Sequence, residues 1–212
     1  SYEQVLRFES KDVSFAAETW ERIGFCYTRA SAQTENPEDF KKVRQLAVEA
    51  YRNAAKLFEE VGDLRGQSKG TQCCAIAEYT RSWIVPDLSE KRQALDECRS
   101  LGKKSLELYE KAGDQLNYGR MCNDLLLCLL DRLYVSSEWK EMKSTAQEGI
   151  DCADKALAIL SQIGDKRELL RTYFTASLQG WYAANISEHE EKRKELVRRS
   201  LDYSEKALQL SR

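Results

Sequence analysis

Only two prolines, Pro37 and Pro86, and a single histidine, His189, occur in the 212 residues. So few prolines leave long helices uninterrupted, and one imidazole, set between Glu188 and Glu190, cannot support the usual histidine general-base chemistry. Strand-type alternation is nearly absent. The longest apolar run, Leu125–Leu130, is six residues, far below the ~20 needed to cross a bilayer. The net charge of −2 removes the basic footprint of a general nucleic-acid binder. No Gly-rich phosphate loop, Gly-x-Ser-x-Gly elbow or His-Glu-x2-His pair is present. The expectation is therefore a cytoplasmic, non-enzymatic chain with no cofactor, no metal, no nucleic-acid partner and no direct membrane insertion. No signal peptide is visible.

Seven cysteines, an odd number with no Cys-x2-Cys pair, fit reduced packing thiols better than disulfides or a zinc site. Asp124 and Asp131 share a helix face but stand ~10 Å apart along the axis, too far to clasp one ion. With Arg120 and Arg132 nearby, they read as ion-paired or solvated carboxylates.

What is present is a beat. Gly-Asp recurs at Gly62-Asp63, Gly113-Asp114 and Gly164-Asp165, at intervals of 51 residues, and Asp12 falls in the same register. A fixed period of this size marks one supersecondary unit copied and stacked. Before each Gly-Asp lies a run rich in Ala, Leu, Lys and Glu with apolar residues at helical spacing, and glycine then closes the helix. The units are 13–63, 64–114, 115–165 and 166–212. Residues 1–12 read as the end of a preceding helix, so the chain is expected to be a slice of a longer solenoid.

In the first unit, Trp20-x2-Ile23-Gly24-x2-Tyr27 and Ala47-x3-Tyr51-x2-Ala54 resemble the two signatures of the tetratricopeptide repeat. The likeness reaches the other units through residue size. Ala47, Cys98, Gly149 and Ser200 occupy one small position, and Ala54, Ser105, Ala156 and Ala207 another. Unit three departs at Leu126, where the family has a small residue, and unit two has Thr71, Cys74 and Glu78 at expected apolar slots. The resemblance implies an all-α fold, a right-handed α-α superhelix of antiparallel hairpins, here about eight long helices plus an N-terminal partial helix. The expected domain is a single solenoid over 1–212.

Small residues at a helix crossing let large neighbours interdigitate; the expected knobs are Trp20, Tyr27, Tyr51, Leu57, Leu125, Leu129, Leu157 and Ile159. The 51-residue unit exceeds the family's ~34, so the helices should be longer, with connections near 34–38, 85–89, 136–138 and 186–188. Those windows hold helix-start chemistry in Asn36 before Pro37, Asp87 with Glu90, and Ser187 with Glu190. Long hairpins of this style are also similar to the soluble NSF attachment proteins.

The resemblance places a partner groove along the first helix of each unit. By register, that groove is lined by Lys69, Arg120 and Arg171 at one level and by Gln72, Asn123 and Phe174 at the next, with Tyr79 and Trp181 beyond. A cationic row with amide donors suits a carboxylate or an acidic extended peptide. The expected function is a protein- or peptide-binding scaffold. The alternatives are solvated charges without a ligand, a structural spacer or end-to-end self-assembling solenoid, and a sensor domain of a larger regulator. Trp181 and Tyr182 sit in the last unit, where a further repeat absent from this slice would leave them exposed, and such exposure would then mark the cut and not a function.

Overall fold

A computed structural model describes residues 12–211; the expectation of a preceding helix within residues 1–12 lies outside them except for Asp12. The described residues form eight α-helices and no strand. We number them α1 Val13–Ser31, α2 Pro37–Val61, α3 Leu64–Arg81, α4 Leu88–Ala112, α5 Gln115–Val135, α6 Trp139–Ile163, α7 Lys166–Asn185 and α8 Glu190–Leu210. First helices start at 13, 64, 115 and 166, and second helices at 37, 88, 139 and 190. Both series advance by 51 residues. The chain divides into two compact units, 1–112 and 113–212, each holding two hairpins.

The Gly-Asp dipeptides account for this regularity. Gly62, Gly113 and Gly164 take φ of 76°, 68° and 77°, the left-handed conformation that closes a helix and that a side chain would strain. The next residue starts the following helix. The carboxylates of Asp12, Asp63, Asp114 and Asp165 accept from the backbone N–H of Phe15, Gly66, Asn117 and Glu168, at 3.2, 2.6, 3.1 and 3.1 Å. Each satisfies an otherwise orphaned first-turn donor. The dipeptide therefore ends one helix and begins the next with no residue to spare.

Within repeats, the turn chemistry holds at two of three windows. Asn36 caps α2 through Glu38 N–H at 2.8 Å, and Asp87 receives Glu90 N–H at 2.8 Å. Ser187 does not cap α8. That helix begins at Glu190 after His189, which makes no side-chain cap bond, and the Ser187 hydroxyl donates to the His189 carbonyl instead. At the α5–α6 turn, buried Arg132 holds Glu141 and Ser136 across the connection.

In the first unit, the base of α1 at Ala17 packs with Ala54, Ala55 and Phe58 near the end of α2, and Cys73 of α3 joins them. Toward the other end, Tyr27 packs with Ala47, Val48 and Tyr51, so the hairpin is antiparallel. Gly24 lies against the Tyr51 ring, where an added Cβ would meet it at 3.0 Å. In the second unit, Leu125, Leu126, Cys128 and Leu129 are buried to within 1%, each leucine contributing ~1.5–3 kcal/mol of transfer free energy. Leu160, one residue beyond the expected knob Ile159, is the residue driven fully inward. Gln179 of α7 lies over Gly149 and donates its Nε2 to the Ala146 carbonyl at 3.2 Å. Glycine at this place in α6 has a steric reason, since a side chain at 149 would occupy the space of that amide.

Candidate functional site

The proposed cations belong to first helices, and each has an internal partner. In the first unit, Lys69 Nζ sits 3.0 Å from both Glu21 carboxylate oxygens and 5.9 Å from the centre of the Phe58 ring. In the second unit, Arg120 lies 3.4 Å from Asp165 and 3.4 Å from Glu168. Arg171 binds Asp124 through Nη2 and reaches Glu168 at 3.7 Å through Nη1. The sequence Asp165, Arg120, Glu168, Arg171, Asp124 thus alternates in sign along α5 and α7. Asp165 contributes one oxygen to the α7 cap and the other to Arg120. Half-exposed pairs of this kind stabilise little on their own, but they compensate the two guanidinium charges locally.

The amides lie in the interior. Gln72 is buried and accepts from the Tyr109 hydroxyl at 2.5 Å. Asn123 is fully buried, and neither of its amide atoms has a hydrogen-bond partner. Neither side chain presents a donor to a peptide on the surface.

The aromatic positions are arranged differently. Tyr79 is half-buried and meets Trp83 edge-on at 6.4 Å. On α7, Phe174 and Trp181 remain 60% and 52% exposed, with Leu178 exposed between them. Spacings of four and seven residues place these three on one helix face. Trp181 packs edge-on to Tyr182 at 4.9 Å, and Tyr182 edge-on to Tyr134 of α5 at 5.0 Å. The result is a chain of three rings that extends the α7 stripe onto α5, where Tyr134 is itself exposed. Tyr134 was not among the expected site residues. Its signal in the sequence was its place one turn beyond the apolar run, where the side chain leaves the core.

Among the described residues, no group of His, Cys, Asp and Glu could hold a metal ion, and no helix is long and apolar enough to cross a membrane. Burial pushes the Cys122 thiol up, with Cys152 adding to the shift, and burial raises Cys74 also, beside Glu59 and Glu78. These thiols are poor nucleophiles near neutrality. Chemically, the surface offers apolar and aromatic contact area with an ion-paired flank.

Among solved structures the chain is similar to helical repeat proteins. They include the crystal structure of a de novo designed helical repeat protein, DHR64 (20% identity over 95% of this chain and 98% of that one, TM-score 0.46), the DHF58 filament (18%, 94% and 97%, 0.45), and the DHF119 filament (19%, 95% and 96%, 0.42). No family model and no curated protein matches it.

Proposed function

We propose that this chain is a non-enzymatic protein-interaction scaffold whose contact surface is the aromatic face of α7, not the cationic row. One observation carries the reading: Phe174, Leu178 and Trp181 stand exposed in line on one helix face and continue through Tyr182 to exposed Tyr134. Contiguous exposed apolar area marks interaction sites in water-soluble folds, and aromatic side chains dominate the buried centres of interfaces. The ligand chemistry that fits is the apolar face of an amphipathic helix. An acidic peptide would have to displace Glu21 from Lys69, and Asp124, Asp165 and Glu168 from the two arginines.

The test is a panel of amphipathic and acidic peptides, read by Trp fluorescence and by anisotropy of labelled peptide. Binding of apolar-faced helices that persists at high salt and weakens at least about tenfold in Phe174→Ser/Trp181→Ser supports the reading. Salt-sensitive binding of acidic peptides that ignores that double variant and disappears in Arg120→Glu would replace it with the cationic groove.

A further inference from the structure

In α2 and α6 a mostly apolar stripe of the second helix is buried where the following first helix packs over it. Positions 44, 48 and 55 of α2 hold Arg44, Val48 and Ala55, all buried. The same register in α6 holds Ala146, Ile150 and Leu157, also buried. In each case a first helix supplies the cover. Val48 clusters with Ala77 of α3, and Ile150 with Ala183 and Ala184 of α7. On α8 the stripe is Val197, Leu201 and Leu208, and all three are exposed, Leu201 to 61%. A shallow depression of about 480 Å³ lies over the Val197–Leu201 end of this stripe, lined also by Glu190, Arg193, Lys194 and Arg198.

The charge around the stripe selects its occupant. Lys194 is held by Glu190 and Glu191 at 2.9 and 3.1 Å, whereas Arg193 and Arg198 have no carboxylate partner among the described residues. The equivalent of Lys194 in α6 is Lys143, which binds Glu188 just beyond α7 at 2.6 Å. The equivalent of Arg193 is Met142, which packs in the cluster with Tyr182 and Ile186. A helix seated on α8 as α7 sits on α6 would therefore bring its 182, 186 and 188 positions to Arg193 and Lys194. Carboxylates there complete the contact.

A second copy fits poorly. In α3 the covering face is small, with Gly66, Gly70, Cys73 and Ala77, and an added Cβ on Gly66 would come 2.5 Å from the Phe58 carbonyl. The α1 register puts Phe15, Thr19, Arg22 and Cys26 at those places. Phenylalanine replaces the glycine, and Arg29 stands in the register of Tyr182, so α1 of a second copy would set its guanidinium against Arg193 with like charge.

We propose that the outward face of α8 docks an amphipathic helix of a partner protein, its small and apolar residues over Val197, Leu201 and Leu208 and its carboxylates opposite Arg193. The inference deepens the scaffold reading, because α7 touches both α6 and α5. A helix so placed on α8 would likewise graze the Phe174–Trp181 stripe.

The probe is a labelled synthetic peptide with the sequence of residues 165–190 carrying Tyr182→Glu and Ile186→Glu, titrated into the full chain by anisotropy. Saturable binding is expected, weakened at least about tenfold by Leu201→Asp and by Arg193→Glu in the protein. The unsubstituted peptide should bind more weakly than the acidic one. Leu201 is exposed, so the variant protein folds, and an unchanged circular dichroism melt checks it. No binding, or binding indifferent to Leu201→Asp, overturns the proposal. Dimerisation of the chain that Leu201→Asp abolishes also overturns it, by assigning the face to a second copy. If Phe174→Ser/Trp181→Ser abolishes binding of the peptide panel while Leu201→Asp changes nothing, the scaffold reading stands and this one fails.

Discussion

Tyr109 donates its hydroxyl to Gln72 at 2.5 Å inside the second hairpin, and 51 residues later the same two positions hold Leu160 and Asn123, both fully buried. The repeat has kept the polar half of the pair and lost its phenol. Asn123 consequently bears the desolvation cost of an amide with no bond in return. Leucine has nearly the shape of asparagine, so Asn123→Leu is expected to stabilise the fold by about 1–3 kcal/mol. Tyr109→Phe should destabilise by a similar amount, because it removes a donor from buried Gln72. Chemical denaturation with unchanged m-values measures both, and a destabilised Asn123→Leu would refute the account.

Gly149 and Gln179 form a second exchange of size across one contact. Two repeats earlier the same positions are Ala47 and Ala77, buried in one cluster. In the second unit an added Cβ at 149 would overlap the Gln179 amide. Gly149→Ala should therefore cost about 1–3 kcal/mol through overpacking, despite the better helix propensity of alanine. Gly149→Ala/Gln179→Ala should recover part of that loss. A double-mutant cycle with no coupling would show that the two side chains are independent.

The helix-start carboxylates give a graded test. Asp63→Ala removes a 2.6 Å cap to Gly66 and should cost about 0.5–2 kcal/mol. Ser187→Ala should change stability by less than about 0.5 kcal/mol, since its hydroxyl caps no helix. Thermal melts of the two variants side by side decide whether the cap or the sequence motif matters.

The thiols should separate by burial. Cys26 is exposed and Cys74 half-buried, while Cys73, Cys98, Cys122, Cys128 and Cys152 are buried. A chromogenic disulfide reagent should therefore modify Cys26 quickly, Cys74 slowly, and the others only on unfolding. Burial raises the folded-state pKa of Cys122 above its ordinary value of 9.0, so the unfolded chain ionises first as pH rises. Its effect on stability is absent below that value and becomes a progressive loss above it. Cys122→Ala should flatten the alkaline decline in melting temperature.

Much of the architecture was legible because the period is carried by backbone chemistry. Glycine at a left-handed helix end and proline at a first helical position have few alternatives, so Gly62, Gly113, Gly164 and Pro37 marked boundaries directly. The capping role of Asp12, Asp63, Asp114 and Asp165 was equally present in the letters, yet the glycine beside three of them is the stronger signal and points to helix ends. Site chemistry was harder to read, since register tells which face a residue occupies but not who answers its charge. Lys69 and Arg171 find carboxylates 48 and 47 positions away, each a near-repeat offset that becomes visible only when adjacent first helices are placed together. The tetratricopeptide register points Gln72 and Asn123 outward, whereas the helices turn them inward.

First helices of 19, 18, 21 and 20 residues are followed by turns over 32–36, 82–87, 136–138 and 186–189, and the shorter helix always has the longer turn. Length is thus exchanged locally, and every second helix still starts in phase. For anyone inserting a tag, a sensor or a foreign loop, the chain offers four elastic seams inside its repeats and tight joints between them. Extra residues at 82–87 fall between helices and can loop out into solvent, whereas one residue added between Gly62 and Asp63 would part the helix-closing glycine from the cap that starts α3.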